Sequence, residues 1–294
     1  MITVSEAFQK FRGNLETTDT EDATASRRQQ KIRQQLEDAF DIATDFLTGA
    51  YRRHTKTKPL RDVDIMIVLR DTTYLSKHPA EILSAVRDTL AVHYGQPRVC
   101  TDRRAVRVDF GVEHVDDLTG EVISFDVVPA FEDGDHYLIP DDTLGTWIPT
   151  NPKIHAELAS TANQNFGEQW KPLVKMIKKW NQVHGSPVEP GFLIEVMALD
   201  LITGPWTSSH AYEIRQFFAS AADRVADGWP DPAHLGPDIS DVLDAHPAKM
   251  NRARTALRDA EAACTQAILL DRQGRTGLAL AAWRSLFGQL FPLS

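Results

Sequence analysis

The five-residue apolar run Ile65-Met66-Ile67-Val68-Leu69 follows directly on the acidic pair Asp62-Val63-Asp64, which describes a strand that enters a core with charge at its leading end. Residues two apart along a strand share a face, so Asp62 and Asp64 present their carboxylates side by side. Adjacent anions repel unless a cation lies between them. For an all-oxygen site that also touches phosphates the expected cation is Mg²⁺ or Mn²⁺, with water and substrate oxygens completing its shell. A strand that simply begins with two solvated aspartates is the commoner arrangement, so the pair alone does not decide. Upstream, Gly49-Ala50-Tyr51 is a small-residue turn that feeds this strand.

The flanking segments set the context. Residues Leu15 to Ser26 are rich in Thr, Asp, Glu and Ser, which predicts a mobile loop. From Ser26 to Thr48, Ile32, Leu36, Phe40, Ile42, Ala43, Phe46 and Leu47 mostly recur at helical spacing, which predicts a helix stopping at Gly49. The cluster Arg52-Arg53-His54 and Lys56 to Arg61 then forms a basic loop, either solvated or attracting phosphate. A helix is predicted over Pro79 to His93. Alternation over Val106 to Val112 and a returning run from Glu121 to Val128 predict a hairpin. That hairpin carries a third carboxylate. Asp126 is flanked by Phe125 and Val127-Val128, where an ionised group needs a partner or a metal, and it is preferred for that reason to its rival Asp109.

From about Asn151 the pattern turns helical. Trp170, Leu173, Val174, Ile177 and Trp180 share one face of a helix, and the interspersed Lys171, Lys175, Lys178 and Lys179 read mostly as a solvated face. Phe192 to Ile202 reads as a buried helix, Trp229 to Ser240 as a surface loop, and Asp241 to Gln273 and Thr276 to Phe291 as two further helices. The expected division is therefore a core over residues 1–150, including the N-terminal helix, and a helical domain over 151–294. The chain has 294 residues and a formal net charge of −9, which argues against constitutive coating of nucleic acid. No run is long and apolar enough to span a membrane, and a cytoplasmic location is expected. Cys100 and Cys264 are too few for a disulfide framework and read as packing residues.

These pieces, in this order, resemble the bacterial CD-NTases, relatives of cyclic GMP-AMP synthase and oligoadenylate synthetase within the polymerase-β-like nucleotidyltransferase superfamily. The family's small-residue turn, basic loop and acidic pair are similar to Gly49-Ala50-Tyr51-Arg52-Arg53-His54-Thr55 through Pro59-Leu60-Arg61-Asp62-Val63-Asp64-Ile65. Its third acidic strand is similar to Phe125-Asp126-Val127-Val128-Pro129-Ala130. Trp147 to Pro152 with His155 resembles the start of its helical domain, Leu173 to Asn181 the helix with its triphosphate-contacting lysine, and Gly191 to Glu195 the helix that follows.

The resemblance implies an α+β fold, a mixed sheet with flanking helices plus a C-terminal helical domain that closes a nucleotide cleft. It implies a synthase that joins NTPs into a cyclic di- or oligonucleotide with release of pyrophosphate, in anti-phage signalling through an effector that responds to the product. Two Mg²⁺ (or Mn²⁺) ions would be held by Asp62, Asp64 and Asp126. Gly49, Ala50, Tyr51, Arg53, Lys175, Lys178 and Gly191 would bind the nucleotide, and a regulatory protein encoded nearby is a further expectation. Two positions depart from the family, which usually has serine where this chain has Ala50 and Gly191; one lost neutral hydrogen bond costs on the order of 1 kcal/mol. Transfer to an RNA, protein or small-molecule acceptor, and a non-catalytic nucleotide-sensing module, remain the alternatives.

Overall fold

The structure is a computed structural model and describes residues 2–60, 63–110 and 124–294. Asp62 and the turn of the predicted hairpin lie outside the described residues. In chain order the elements are α1 (Val4–Asn14), α2 (Asp19–Glu37), β1 (Ile42–Leu47), α3 (Gly49–Arg53), β2 (Val63–Leu69), α4 (Pro79–Tyr94), β3 (Val99–Thr101), β4 (Val106–Asp109), β5 (Ser124–Asp133), β6 (His136–Asp141) and β7 (Thr146–Thr150). Helices follow: α5 (Pro152–Asn165), α6 (Trp170–Val183), α7 (Gly191–Leu201), α8 (His210–Arg224), α9 (Asp241–Asp244), α10 (Pro247–Arg272) and α11 (Thr276–Phe287). The chain divides into two compact units, one of Thr17–His155 with Ala233–Gly236, the other of Met1–Glu16, Ala156–Pro232 and Pro237–Ser294.

The first unit is built on a mixed sheet in the order β1-β2-β5-β4-β3, with β6 paired to the far end of β5 and β7 to β6. Its central pair, β2 and β5, is parallel, and β1 and β4 flank that pair antiparallel. Strand alternation separates two apolar faces. Val63, Ile65, Ile67 and Leu69 of β2 join Phe125 and Val127 of β5 and the apolar faces of α2 and α4, whereas Met66 and Val68 meet Ala130, Ile139 and Ile148 on the opposite side. Each fully buried aliphatic or aromatic side chain of this kind contributes about 1.5–3 kcal/mol.

Two expectations for this unit are overturned. The predicted mobile loop over 15–26 is largely the first half of α2, because Thr18 and Glu21 close a capping box: Glu21 N donates to Thr18 Oγ1 at 3.2 Å and Thr18 N to Glu21 Oε2 at 2.8 Å. The predicted helix over 26–48 ends instead at Glu37, and Ile42–Leu47 is strand β1, paired with β2. Isoleucine, threonine and phenylalanine suit a pleated surface, and the ladder to β2 outweighs the helical spacing. The helix over 79–93 and the pairing of the two hairpin strands stand as read. Cys100 is exposed on β3 and packs in no core; Cys264 is buried.

The second unit is helical and includes α1, so residues 1–16 sit with the C-terminal helices and not with the sheet. The reason is aromatic packing: Phe8 meets Trp283, Phe287 and Phe291 edge-on at ring separations of 5.0, 6.1 and 5.2 Å. Helices α6 and α7 form the centre. Trp170 donates its indole N–H to the Ala198 carbonyl at 3.0 Å, and the Asn181 amide exchanges two 2.9 Å hydrogen bonds with the Val188 backbone. The long helix expected from Asp241 breaks before Pro247, and the last helix ends at Phe287 before Gly288. Within the 229–240 loop, Trp229, Asp231 and Ser240 are buried. No helix among the described residues is long and apolar enough to cross a membrane.

Candidate active site

Parallel pairing of β2 with β5 sets Asp64 directly beside Asp126. Neighbours in register point to the same side of a sheet, and here that side is the face of Met66 and Val68, opposite the large core beneath α2 and α4. Both aspartates are half-buried. The antiparallel neighbour β4 places Arg107 opposite Asp126, and its guanidinium grips the carboxylate with both prongs, Nε to Oδ1 at 2.9 Å and Nη2 to Oδ2 at 3.1 Å. This is the charge-assisted, bidentate geometry that arginine favours. Asp109, the rival, lies on β4 opposite Ser124.

The Gly49 turn crosses the end of β2. Thr48 N donates to the Asp64 carbonyl at 2.9 Å, which ties the turn to the strand. Gly49 has φ +55°, and a β-carbon there would meet Asp64 Oδ2 at 1.6 Å. Glycine therefore opens a short helix instead of ending a long one. Arg52 N donates to the Thr48 carbonyl at 3.2 Å, so the amides of Gly49, Ala50 and Tyr51 lie in the first turn of α3. Arg53 is buried at the other end of α3.

Lys56 and Lys58 of the basic loop after α3 are paired with acids. Lys56 donates to Asp22 at 2.6 Å and Lys58 lies 3.9 Å from Glu21, both acids on α2. The Lys56 ammonium also sits 3.5 Å over the Tyr51 ring. Burial, reinforced by the Asp22 carboxylate, pushes the Tyr51 hydroxyl pKa above its usual value. Tyr51, Lys56 and Lys58 are thus tied to the acidic first turn of α2.

In the helical unit, α6 carries Lys175 and Lys178. Neither is a solvated face residue: Lys175 donates to Glu16 at 2.6 Å and Lys178 to Glu195 at 2.9 Å. Glu195, on α7, is only 2% exposed, while Lys178 keeps 14% of its side chain in contact with solvent. Lys179 is also buried, and burial lowers the pKa of Lys171. Gly191 opens α7 and has open space where a β-carbon would stand, so nothing there forbids serine.

Two side-by-side carboxylates, one packed against a bare glycine, form a hard-oxygen set that fits Mg²⁺ or Mn²⁺. Among the described residues, no group of three or more His, Cys, Asp or Glu is placed to hold a metal. Sequence reasoning missed Arg107 and Glu195. Arg107 was visible on the polar side of β4, but its partner depended on hairpin register; Glu195 was visible as a carboxylate interrupting an apolar helix.

Residues 1–163 match the family described as Second Messenger Oligonucleotide or Dinucleotide Synthetase domain. The chain is 28% identical over 269 residues to the cyclic AMP-AMP-AMP synthase of Acinetobacter sp. (strain ATCC 27244 / 9458), covering 85% of this chain and 73% of that protein. Among solved structures it is similar to Escherichia coli MS115-1 CdnC, seen with ATP (TM-score 0.70, 16% identity, 99% of each chain) and in a complex with HORMA-deltaN (TM-score 0.69, 15% identity, 98% of each chain). It is also similar to the Bradyrhizobium diazoefficiens CD-NTase CdnG in complex with GTP (TM-score 0.71, 12% identity, 96% of this chain and 94% of that one). The architecture is the polymerase-β-like nucleotidyltransferase fold of the CD-NTases.

Proposed function

We propose, on the premise that this chain belongs to the Second Messenger Oligonucleotide or Dinucleotide Synthetase family, that it joins nucleoside triphosphates into a cyclic di- or oligonucleotide and releases pyrophosphate at a site centred on Asp64 and Asp126. The observation that carries this reading is their register on the parallel pair β2–β5 with Gly49 pressed against Asp64. Asp62 is proposed as the third carboxylate, since it lies two residues before Asp64 in sequence.

Asp62, Asp64 and Asp126 would hold Mg²⁺ or Mn²⁺, which when bound supplies Lewis-acid polarisation of the phosphoryl group and neutralises charge on the triphosphate. The chain's own groups supply positioning. The first-turn amides of Gly49, Ala50 and Tyr51 are donors for phosphate oxygens, a role that a backbone turn performs without a side chain. Arg53 supports that turn from its buried end, and Gly191 would contribute its amide at the start of α7. Lys178 is proposed as the triphosphate lysine, with Glu195 holding its ammonium in place; Lys175, bound to Glu16, is secondary because it is the less exposed of the two. Preset donors and charges of this kind act where negative charge develops on the leaving pyrophosphate.

ATP and GTP are the substrates to test first, because the similar CdnC and CdnG were seen with ATP and GTP and the Acinetobacter relative is a cyclic AMP-AMP-AMP synthase. A regulatory protein partner belongs to the same reading, by likeness to the CdnC complex with HORMA-deltaN. An anti-phage role through a product-sensing effector follows from the resemblance to the CD-NTases. The protein is to be incubated with labelled NTPs and Mg²⁺ alone. A phosphatase-resistant small product supports the proposal, whereas label transfer that requires an RNA, protein or small-molecule acceptor overturns it.

A further inference from the structure

We propose that Arg107 is a resident counter-ion that occupies Asp126 and must yield when a divalent ion binds, so that it sets the metal affinity of the nucleotide-free protein. The inference rests on the reading of Asp126 as a metal carboxylate. Both Asp126 oxygens are engaged by the Arg107 fork, at 2.9 and 3.1 Å, so an incoming cation must share or displace an existing hydrogen bond. The guanidinium is also a fixed positive charge beside that carboxylate, and like charges oppose each other at such range.

The exposures make the displacement feasible in one direction. Arg107 keeps 40% of its side chain in contact with solvent, whereas Asp126 keeps 14%. An arginine with that exposure can move its head group into water while its stem stays on the sheet. Asp126 cannot turn away so readily, because its short side chain is largely buried and its backbone is held in β5 between β2 and β4. The Arg107 backbone is likewise held in β4, opposite Asp126 and between β3 and β5, so only the side chain need move. The pair thus balances a surplus of negative charge at the site when no cation is bound and gives way to one that binds the aspartates more strongly.

The test is Mn²⁺ binding to nucleotide-free protein, read from the free-ion electron paramagnetic resonance signal, for wild type, Arg107→Gln, Arg107→Lys and Asp126→Asn, each checked for folding by circular dichroism. Removing the guanidinium is expected to tighten Mn²⁺ binding roughly tenfold. Arg107→Lys retains the charge but not the fork, and is expected to bind more tightly than wild type by a smaller factor; it carries the test if Arg107→Gln does not fold. Asp126→Asn should lose most of the binding. Arginine variants that bind no more tightly than wild type, alongside an Asp126→Asn that binds poorly, overturn the counter-ion role and leave the metal assignment intact. An Asp126→Asn that binds Mn²⁺ as wild type does overturns the metal assignment itself.

Discussion

Gly49 and Asp64 are packed so closely that a single β-carbon on the glycine would stand 1.6 Å from Asp64 Oδ2 and 2.5 Å from its Cγ. The same glycine has φ +55°, a region that costs an L-residue roughly 1–2 kcal/mol. Sequence, backbone and site therefore meet at one position. The turn approaches the carboxylate only because no side chain intervenes, and its backbone tie to β2, Thr48 N to the Asp64 carbonyl, holds it there.

Gly49→Ala is expected to displace the Asp64 carboxylate and lower turnover of NTPs by about a hundredfold, the scale on which ångström misplacement acts. The fold should survive with a loss of roughly 1–2 kcal/mol in urea unfolding. Wild-type turnover in Gly49→Ala would show that the contact is incidental.

Ala50→Ser restores a hydroxyl in the first turn of α3. One neutral hydrogen bond to phosphate is worth about 1 kcal/mol, so KM for ATP should fall about fivefold with little change in kcat. An unchanged or raised KM would remove Ala50 from the phosphate-binding turn.

Lys178→Met leaves Glu195 buried without its ammonium partner, and breaking such a pair destabilises by about 3 kcal/mol. The double variant Lys178→Met/Glu195→Met should recover most of that stability, because two apolar side chains of similar size replace the pair. Thermal unfolding separates the two variants, but KM for ATP is expected to rise at least about tenfold in both. Recovery of KM along with stability would reduce Lys178 to a packing residue.

His210 sets an acid limit on the helical unit. Burial, aided by the nearby Arg12 charge, pushes its pKa down to about 4, so the folded chain resists the proton that the unfolded chain accepts near pH 6.5. The unfolded state then binds more protons between these values, and stability is lost as pH falls from 6.5 towards 4. Between pH 7 and pH 5 the loss from this group is about 2 kcal/mol. Urea unfolding of His210→Phe should show a shallower decline over this interval, and an identical slope would contradict the assignment.

The parts legible in sequence were those carried by strong periodicity or by motif order. The β2 run after Asp64, the α4 face and the α6 stripe all emerged from residue pattern, and the resemblance supplied the fold. Local chemistry was present but overlooked at two helix starts: Thr3 with Glu6 and Thr18 with Glu21 are capping boxes that announce α1 and α2. What could not be read was decided by tertiary pairing. Ile42–Leu47 is a strand because β2 is beside it, Arg107 meets Asp126 only once the hairpin register is set, and Lys175 and Lys178 of α6 are ion-paired because Glu16 and Glu195 approach them from distant sequence. Helical spacing and charge alone carry none of that information.

The most direct measurement is mass spectrometry of the products formed from all four NTPs and Mg²⁺ by wild type, Asp64→Asn and Asp126→Asn, with folding of each variant verified by circular dichroism. Wild type should give pyrophosphate and a phosphatase-resistant cyclic di- or oligonucleotide, and both variants should give none. Product from either aspartate variant at a rate near that of wild type would contradict the claim that these paired carboxylates are the catalytic centre.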